Sequence, residues 1–284
     1  MSRTPVRTPS ATGQQSMTHF SGDVNDAVER ALKLAHGVPG FLGDNEARFL
    51  AMLAVCTPAD GLIVEIGSFK GKSTVLLASV AVHRGLGRIV AIDPHTSPSP
   101  TDPGLPPGAS SFEEFNAALR SANLEEQVEV HRTFSREVAK DWNRPIRLLW
   151  IDGEHTYKGA KEDFEMFSPF LANGGVVALH DALHAFEGPL RVFVEDILRS
   201  DRFGAAGFAQ SIAWGQFRPH DGAEFRGDRE RLAHRAEKLL PFLKDSAPIR
   251  GFKKIRYKLA RSRVPRAPLS AAVWLSLISG RTAR

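Results

Sequence analysis

Cysteine is all but missing from this chain: Cys56 stands alone among 284 residues. One thiol cannot close an intramolecular disulfide, so the fold asks for no oxidising compartment. Cys56 lies in the apolar run FLAMLAVC, where a buried, inert thiol is expected rather than a nucleophile. Long hydrophobic runs are missing too, and none reaches the roughly 18 apolar residues of a membrane-spanning helix. The opening MSRTPVRTPSATGQQS lacks the apolar core of a secretory signal, so a cytoplasmic protein is expected. No internal repeat is visible. Acid is absent from one end: Arg250 to Arg284 holds ten Lys or Arg and no Asp or Glu, although the whole chain has a net charge of only +5. The remainder is therefore acidic overall, and the basic balance describes a tail.

What is present is an alternation. LIVEI (62–66), RIVAID (88–93), VEVH (128–131), RLLWID (147–152) and GVVALHD (175–181) are short β-rich apolar runs. Helical stretches are expected between them at Ser73–His83, Phe112–Ala122, Ser135–Asp141 and Lys158–Leu171, with another at Gly188–Leu198. Two helices should precede the first strand, the second capped by Asp44 or Asn45, and FAQSIAWGQF (208–217) could add one or two antiparallel strands. Strands separated by helix-length segments predict an α/β fold, a doubly wound, mostly parallel sheet of about seven strands with helices on both faces. Three parts are expected: a disordered N-terminus (1–20), the α/β domain (21–222) and a basic helical C-terminal extension (223–284). The Pro/Gly/Ser-rich loop from His95 to Ser110 is a candidate lid.

In such sheets ligands bind beyond the carboxyl ends of the strands. The first such end reads Glu65-Ile66-Gly67-Ser68-Phe69-Lys70-Gly71-Lys72-Ser73. Gly67 permits a tight turn and Gly71 close packing where a helix starts. A triphosphate-binding loop would need Gly at position 66, which is Ile66, and the G-x-x-x-G spacing is not the dinucleotide fingerprint. Carboxylates end the first strand (Glu65) and the second (Asp93). Carboxylates can accept from an ammonium group and from ribose hydroxyls, the handles of S-adenosylmethionine rather than of a pyrophosphate. The alternative is a tight turn that binds nothing. The segment LLWIDGEHTYKGAKEDFEMFSPFLANGGVVALHD brings Asp152, His155, His180 and Asp181 to two further strand ends, a set suited to a metal or to proton transfer.

Taken together, VEIGSFKGKST (64–74), VAIDPH (90–95), SFEEFNAALRSANLEEQVEVHRTFSREVAKDW (111–142) and the segment LLWIDGEHTYKGAKEDF…LANGGVVALHD resemble the class I S-adenosylmethionine-dependent methyltransferases. The similarity covers about residues 40 to 200 and lies nearest the metal-dependent O-methyltransferases of small molecules and sugars. It implies a Rossmann-like domain with Glu65, Gly67, Ser68, Gly71 and Ser73 around the methionine end of the cofactor. Asp93 would bind the ribose, and Phe134 and Ser135 would lie near the adenine. It also implies a divalent metal, Mg²⁺ or Mn²⁺, held by Asp152, His180 and Asp181. Relatives carry Asp-Asp or Asp-Asn where this chain has His180-Asp181, and an imidazole there shifts preference toward Mn²⁺, Fe²⁺ or Zn²⁺. By the same resemblance His155, three residues after Asp152, is the general base; its alternative is to cap the following helix or orient Asp152. His184 is a weaker candidate.

No motif for exocyclic amine methylation is visible, and Cys56 precedes the first strand, away from any cysteine-based pyrimidine chemistry. The expected activity is O-methylation of a sugar, glycan or glycosylated natural product, with a phenol second. The tail keeps other classes open. GFKKIRYKLARSRVPRAPL interleaves Phe252, Ile255, Tyr257 and Leu259 with cations, and AAVWLSLIS with Trp274 follows. An anionic membrane surface at the inner face, RNA, or a second subunit could be its partner, the RNA case implying an RNA methyltransferase. A non-catalytic scaffold is disfavoured by the intact set Glu65, Asp93, Asp152 and Asp181.

Overall fold

β-branched and aliphatic residues fill five runs that pair side by side, as fully buried parallel strands require. The computed structural model describes residues 16–96, 105–106, 108–243, 249–267 and 270–278. In chain order the elements are α1 (Ser16–Ala35), α2 (Asp44–Cys56), β1 (Leu62–Ile66), α3 (Lys72–Arg84), β2 (Ile89–Ile92), α4 (Phe112–Ala122), β3 (Val128–His131), α5 (Ser135–Ala139), β4 (Ile146–Ile151), α6 (Tyr157–Phe167), β5 (Leu171–Leu179) and α7 (Glu187–Val192). A π-helical turn, Phe193–Leu198, prolongs α7, followed by β6 (Phe203–Ala209), β7 (Ile212–Phe217), α8 (Arg226–Ala236), α9 (Leu240–Leu243), α10 (Gly251–Ser262) and α11 (Ala271–Ile278).

The seven strands lie in the order β3-β2-β1-β4-β5-β7-β6. β1 to β5 are parallel, and β7 runs antiparallel to both β5 and β6. This is the doubly wound α/β sheet expected from the alternation. Strand order reverses between β1 and β4, which opens the ligand crevice beyond their carboxyl ends. Register then fixes the neighbours there. Ile66 pairs with Ile151, which sets Gly67 beside Asp152, and Ile151 pairs with Leu179, which sets Asp152 beside His180.

One face of the sheet carries α1, α2, α3 and α11 around Phe49, Leu50, Trp150, Trp214 and Trp274. The other carries α6 to α10 around Phe164, Phe167, Phe193, Phe208 and Tyr257. The C-terminal segment thus serves both cores. It crosses at the sheet edge, where the Ala267 amide donates to the Phe208 carbonyl.

Several boundaries differ from those read in the sequence. Helix α1 begins at Ser16, inside the stretch expected to be disordered; residues 1–15 fall outside the described set. Pro169 cannot continue an α-helix, so α6 stops at Phe167 instead of running to Leu171. Strand β5 begins at Leu171 rather than at 175, so that Gly174 and Gly175 both lie within it. Gly175 is small of necessity, since a Cβ there would sit 3.0 Å from the Ile146 carbonyl oxygen of β4. Most of the candidate lid, 97–104 and 107, lies outside the described residues; its flanks are joined by His95 Nδ1 and Ser111 Oγ at 2.9 Å.

Candidate functional site

Four backbone hydrogen bonds carry the parallel ladder one residue past the strands. The amides of Gly67, Asp93, Asp152 and His180 donate to Ile92, His131, Ile66 and Ile151. These residues are therefore held as rigidly as the sheet itself. The turn after β1 needs a glycine at Gly67 (φ 89°), where a Cβ would lie 2.2 Å from the Asp152 carbonyl oxygen.

Asp93 organises that turn. Its Oδ2 accepts from the Ser68 and Phe69 amides, each at 2.8 Å, and its Oδ1 accepts from the His95 amide at 2.6 Å. Phe69 is thereby fixed in the left-handed region (φ 46°), unusual for an aromatic residue. Two cavities open on either side of this turn. The first, about 350 Å³, is lined by Gly67, Phe69, Asp93, Phe134, Ser135, Gly153 and Asp163. The second, about 340 Å³, is lined by Phe41, Ser68, Ser73, His155, His180, Asp181 and His184. Gly67, Phe69 and Asp152 border both.

In the first cavity the lining carboxyls are Asp93, Asp152, Glu154, Glu162 and Asp163, against the single guanidinium of Arg136. Such a wall attracts a sulfonium or ammonium and repels a pyrophosphate. Asp163 is buried, and Ser135 Oγ donates to its Oδ1 at 2.5 Å. Burial raises the Asp163 pKa to about 6, against the opposing hydrogen bond from Ser135. The chemistry of this cavity fits S-adenosylmethionine.

Two residues expected at the methionine end stand behind the wall. Glu65 is fully buried, and its Oε2 accepts from Thr74 Oγ1 at 2.5 Å. Burial pushes its pKa up to about 7, with the Ser73 and Thr74 hydroxyls pulling the other way. Gly71 takes up the left-handed N-cap of α3 (φ 90°) and packs on Phe115, where a Cβ would lie 3.2 Å from the ring. Glu65 and Gly71 shape the loop and border neither cavity. Cys56 is buried, and burial raises its thiol to about 12, as an inert core cysteine requires.

The second cavity gathers the acids and imidazoles of β4 and β5. His180 Nδ1 bonds Asp152 Oδ1 at 2.9 Å and lies 3.6 Å from Asp181 Oδ1. Its Nε2 lies 3.5 Å from Glu46 Oε2. Burial opposes charge on His180, 2% exposed, yet Asp152, Glu46 and Asp181 raise its pKa well above the ordinary imidazole value. The partners respond in kind. Despite burial, Asp152 is drawn down to about 2 by His180 and His155, and Glu46 to about 2 by His180, Ser211 and the Gly43 amide. His155 Nε2 lies 3.5 Å from Asp152 Oδ1 and 3.6 Å from Asp181 Oδ2, its ring 4.6 Å from that of Phe186. Asp181 itself is held in the left-handed region (φ 56°), and His184 Nδ1 approaches its Oδ1 at 2.6 Å.

Asp152, His155 and His180 each offer a donor atom, all within 4.8 Å of one another. Mixed carboxylate and imidazole donors fit Mn²⁺, Fe²⁺ or Zn²⁺ better than Mg²⁺. His180 would have to release a proton to ligate, with Glu46 then anchoring its other nitrogen, an arrangement common behind metal-bound histidines. Every residue expected from β4 and β5 is thus brought to one cavity. Glu46, Asp163, Phe41 and Phe186 were not anticipated. Glu46 had a visible signal as the third residue of α2, but that signal announces a helix cap: its Oε2 accepts from the Gly43 amide at 3.0 Å.

Residues 64–182 match the family described as "methyltransferase domain". Among solved structures, the chain is similar to the O-methyltransferase NovP at 13% identity and a TM-score of 0.53, covering 70% of this chain and 99% of that one. A putative O-methyltransferase from Klebsiella pneumoniae is similar at 16% identity and a TM-score of 0.49, covering 72% and 100%. An O-methyltransferase from Bacillus cereus, in complex with SAH, follows at 20% identity and 0.46, covering 71% and 97%. The NovP likeness establishes the Rossmann-like methyltransferase fold. Residues 64–182 thus match a methyltransferase domain set on that fold.

Proposed function

We propose that the chain methylates a hydroxyl of a sugar, glycan or glycosylated natural product. The observation that carries this reading is the pair of cavities meeting at Asp152, Gly67 and Phe69. One is acidic and suits a sulfonium donor; the other holds imidazoles and carboxylates suited to taking a proton. When bound in the first cavity, S-adenosylmethionine supplies an electrophilic methyl group. Phe134 and Ser135 would flank its adenine, with the Asp163 carboxyl presented to the exocyclic amine, and Asp93 Oδ1 has acceptor capacity left for a ribose hydroxyl.

The chain's own work is positioning and proton removal. His155 takes the acceptor's proton on its imidazole, and Asp152 and Asp181 beside Nε2 stabilise the imidazolium that forms. The donor, when bound, would supply its methyl group to the acceptor oxygen and keep the electron pair of the carbon–sulfur bond on sulfur. A divalent cation would be held by Asp152 and His180, which belong both to the expected ligand set and to the cluster within 4.8 Å, and when bound it would polarise the acceptor hydroxyl. At the mouth of the second cavity the exposed Phe41 stacks on Phe69 at 5.8 Å, offering ring faces to the apolar face of a sugar. That NovP is an O-methyltransferase accords with transfer to an oxygen.

The test is incubation with methyl-labelled S-adenosylmethionine and a panel of glycosides, phenols and RNA, with products resolved by mass spectrometry and NMR. A methyl ether on a sugar hydroxyl is the expected product. Transfer confined to phenols or to nucleobases would contradict the assignment.

A further inference from the structure

Helix α10 presents a face that the fold does not use. Among the described exposed apolar side chains, Phe252 (74%), Ile255 (62%) and Leu259 (57%) all lie on it. At 100° per residue they fall within an arc of about 60°. Tyr257 points to the opposite side and is buried, its hydroxyl within hydrogen-bond reach of the Leu183 and His184 carbonyls at 2.8 and 2.7 Å. The helix is therefore mounted by its inner face on the loop after Asp181, with the apolar stripe turned outward. Burying such side chains in the core was open to the sequence; Trp274 in α11 is treated that way, at 1% exposure.

The charges on the helix itself are of one sign. Arg256 and Lys258 flank it, Lys253 and Lys254 lie further round the helix, and all four are exposed. No acid occurs from Arg250 onward. A second copy of the chain offering the same face would bring cations against cations, which disfavours a symmetric pair. Ile255 and Leu259 have no ring with which to stack on a base, as single-stranded RNA binding would want. Aliphatic and aromatic side chains framed by Lys and Arg match the headgroup boundary of an anionic bilayer, apolar groups entering and cations meeting phosphates. No helix among the described residues is long and apolar enough to cross a membrane, so the contact is one of lying on the surface.

We propose that α10 is an interfacial helix that docks the enzyme on an anionic lipid surface through Phe252, Ile255 and Leu259. The docking stripe is separate from the Trp274 segment that the sequence alone also put forward, because Trp274 is committed to the core against Phe49 and Trp214.

The experiment is flotation of the full chain with vesicles of phosphatidylcholine alone or with a third phosphatidylglycerol, at low and high salt. Binding is expected only to the anionic vesicles, weakening with salt. A Phe252→Ser/Ile255→Ser/Leu259→Ser variant should lose at least tenfold in partitioning with an unchanged melting temperature and donor affinity, since these side chains support no core. Lys253→Glu/Lys258→Glu should weaken partitioning by about fivefold or more per position. Equal flotation with neutral vesicles, unaltered partitioning of the triple variant, or binding to RNA with none to vesicles would each overturn the proposal. None of these outcomes bears on methyl transfer, so the docking claim stands or falls by itself.

Discussion

Asp163 is a carboxyl whose pKa burial raises to about 6, with Ser135 donating to one oxygen and the donor cavity beside it. If it reads the adenine amine, Asp163→Ala removes one hydrogen bond from the bound donor and leaves the proton-transfer groups alone. Calorimetry should show S-adenosylmethionine affinity falling roughly three- to tenfold, with turnover at saturating donor little changed. Unchanged affinity would remove Asp163 from the binding site. At this scale the sequence was most legible where function sits at strand ends. Asp152, His155, His180 and Asp181 could be placed because β4 and β5 announce their own carboxyl ends. Glu46 and Asp163 could not, because they come from α2 and α6 and reach the site only through packing. His180 shows the limit best: its position and its main partner, Asp152, were readable, but the further support of its charge by Glu46, 134 positions earlier in the chain, was not.

Among elements, the C-terminal helices separate most clearly from the sequence reading. One basic, partly apolar segment reads as a single tail, yet α10 and α11 have opposite fates. In α11 the Trp274 ring meets Trp214 at 4.3 Å and Phe49 at 5.5 Å, within the core of one sheet face. Trp274→Ala should therefore destabilise the protein by about 3–5 kcal/mol in a denaturant titration. A loss under 1 kcal/mol would mean that α11 is peripheral. Strand and helix interiors were legible through periodicity and β-branched content, as the matching limits of β1, β3 and α4 show. Ends that depend on single residues were less so. Pro169 stops α6, and Gly175 sits inside β5 because β4 passes too close for a side chain.

For the whole molecule, buried ionisable groups set a particular pH response. Glu65 and Asp163 have folded pKa values raised to about 7 and about 6, so their destabilising charge is relieved as pH falls through those values. His180, raised well above its ordinary value, contributes stability that is complete below about 6.5 and lost as pH rises. Glu46, Asp152 and Glu129 are each depressed to about 2, the last chiefly by Arg144, and their contribution is lost as pH falls from about 4.5 toward 2. Thermal melts of the metal-free protein should accordingly peak near pH 5, decline gradually toward pH 8 and fall steeply below pH 4. A maximum above pH 7.5 would refute this distribution of charge.

The division of labour across Asp152, with a donor cavity on one side and proton removal on the other, is tested most directly by His155→Ala. Donor binding by calorimetry and methyl transfer should be measured on the same preparation. S-adenosylmethionine affinity should stay within about threefold of the parent, and turnover should fall by roughly 10² to 10⁴, as loss of a general base requires. Turnover close to the parent's, or donor affinity lost together with it, would contradict the account.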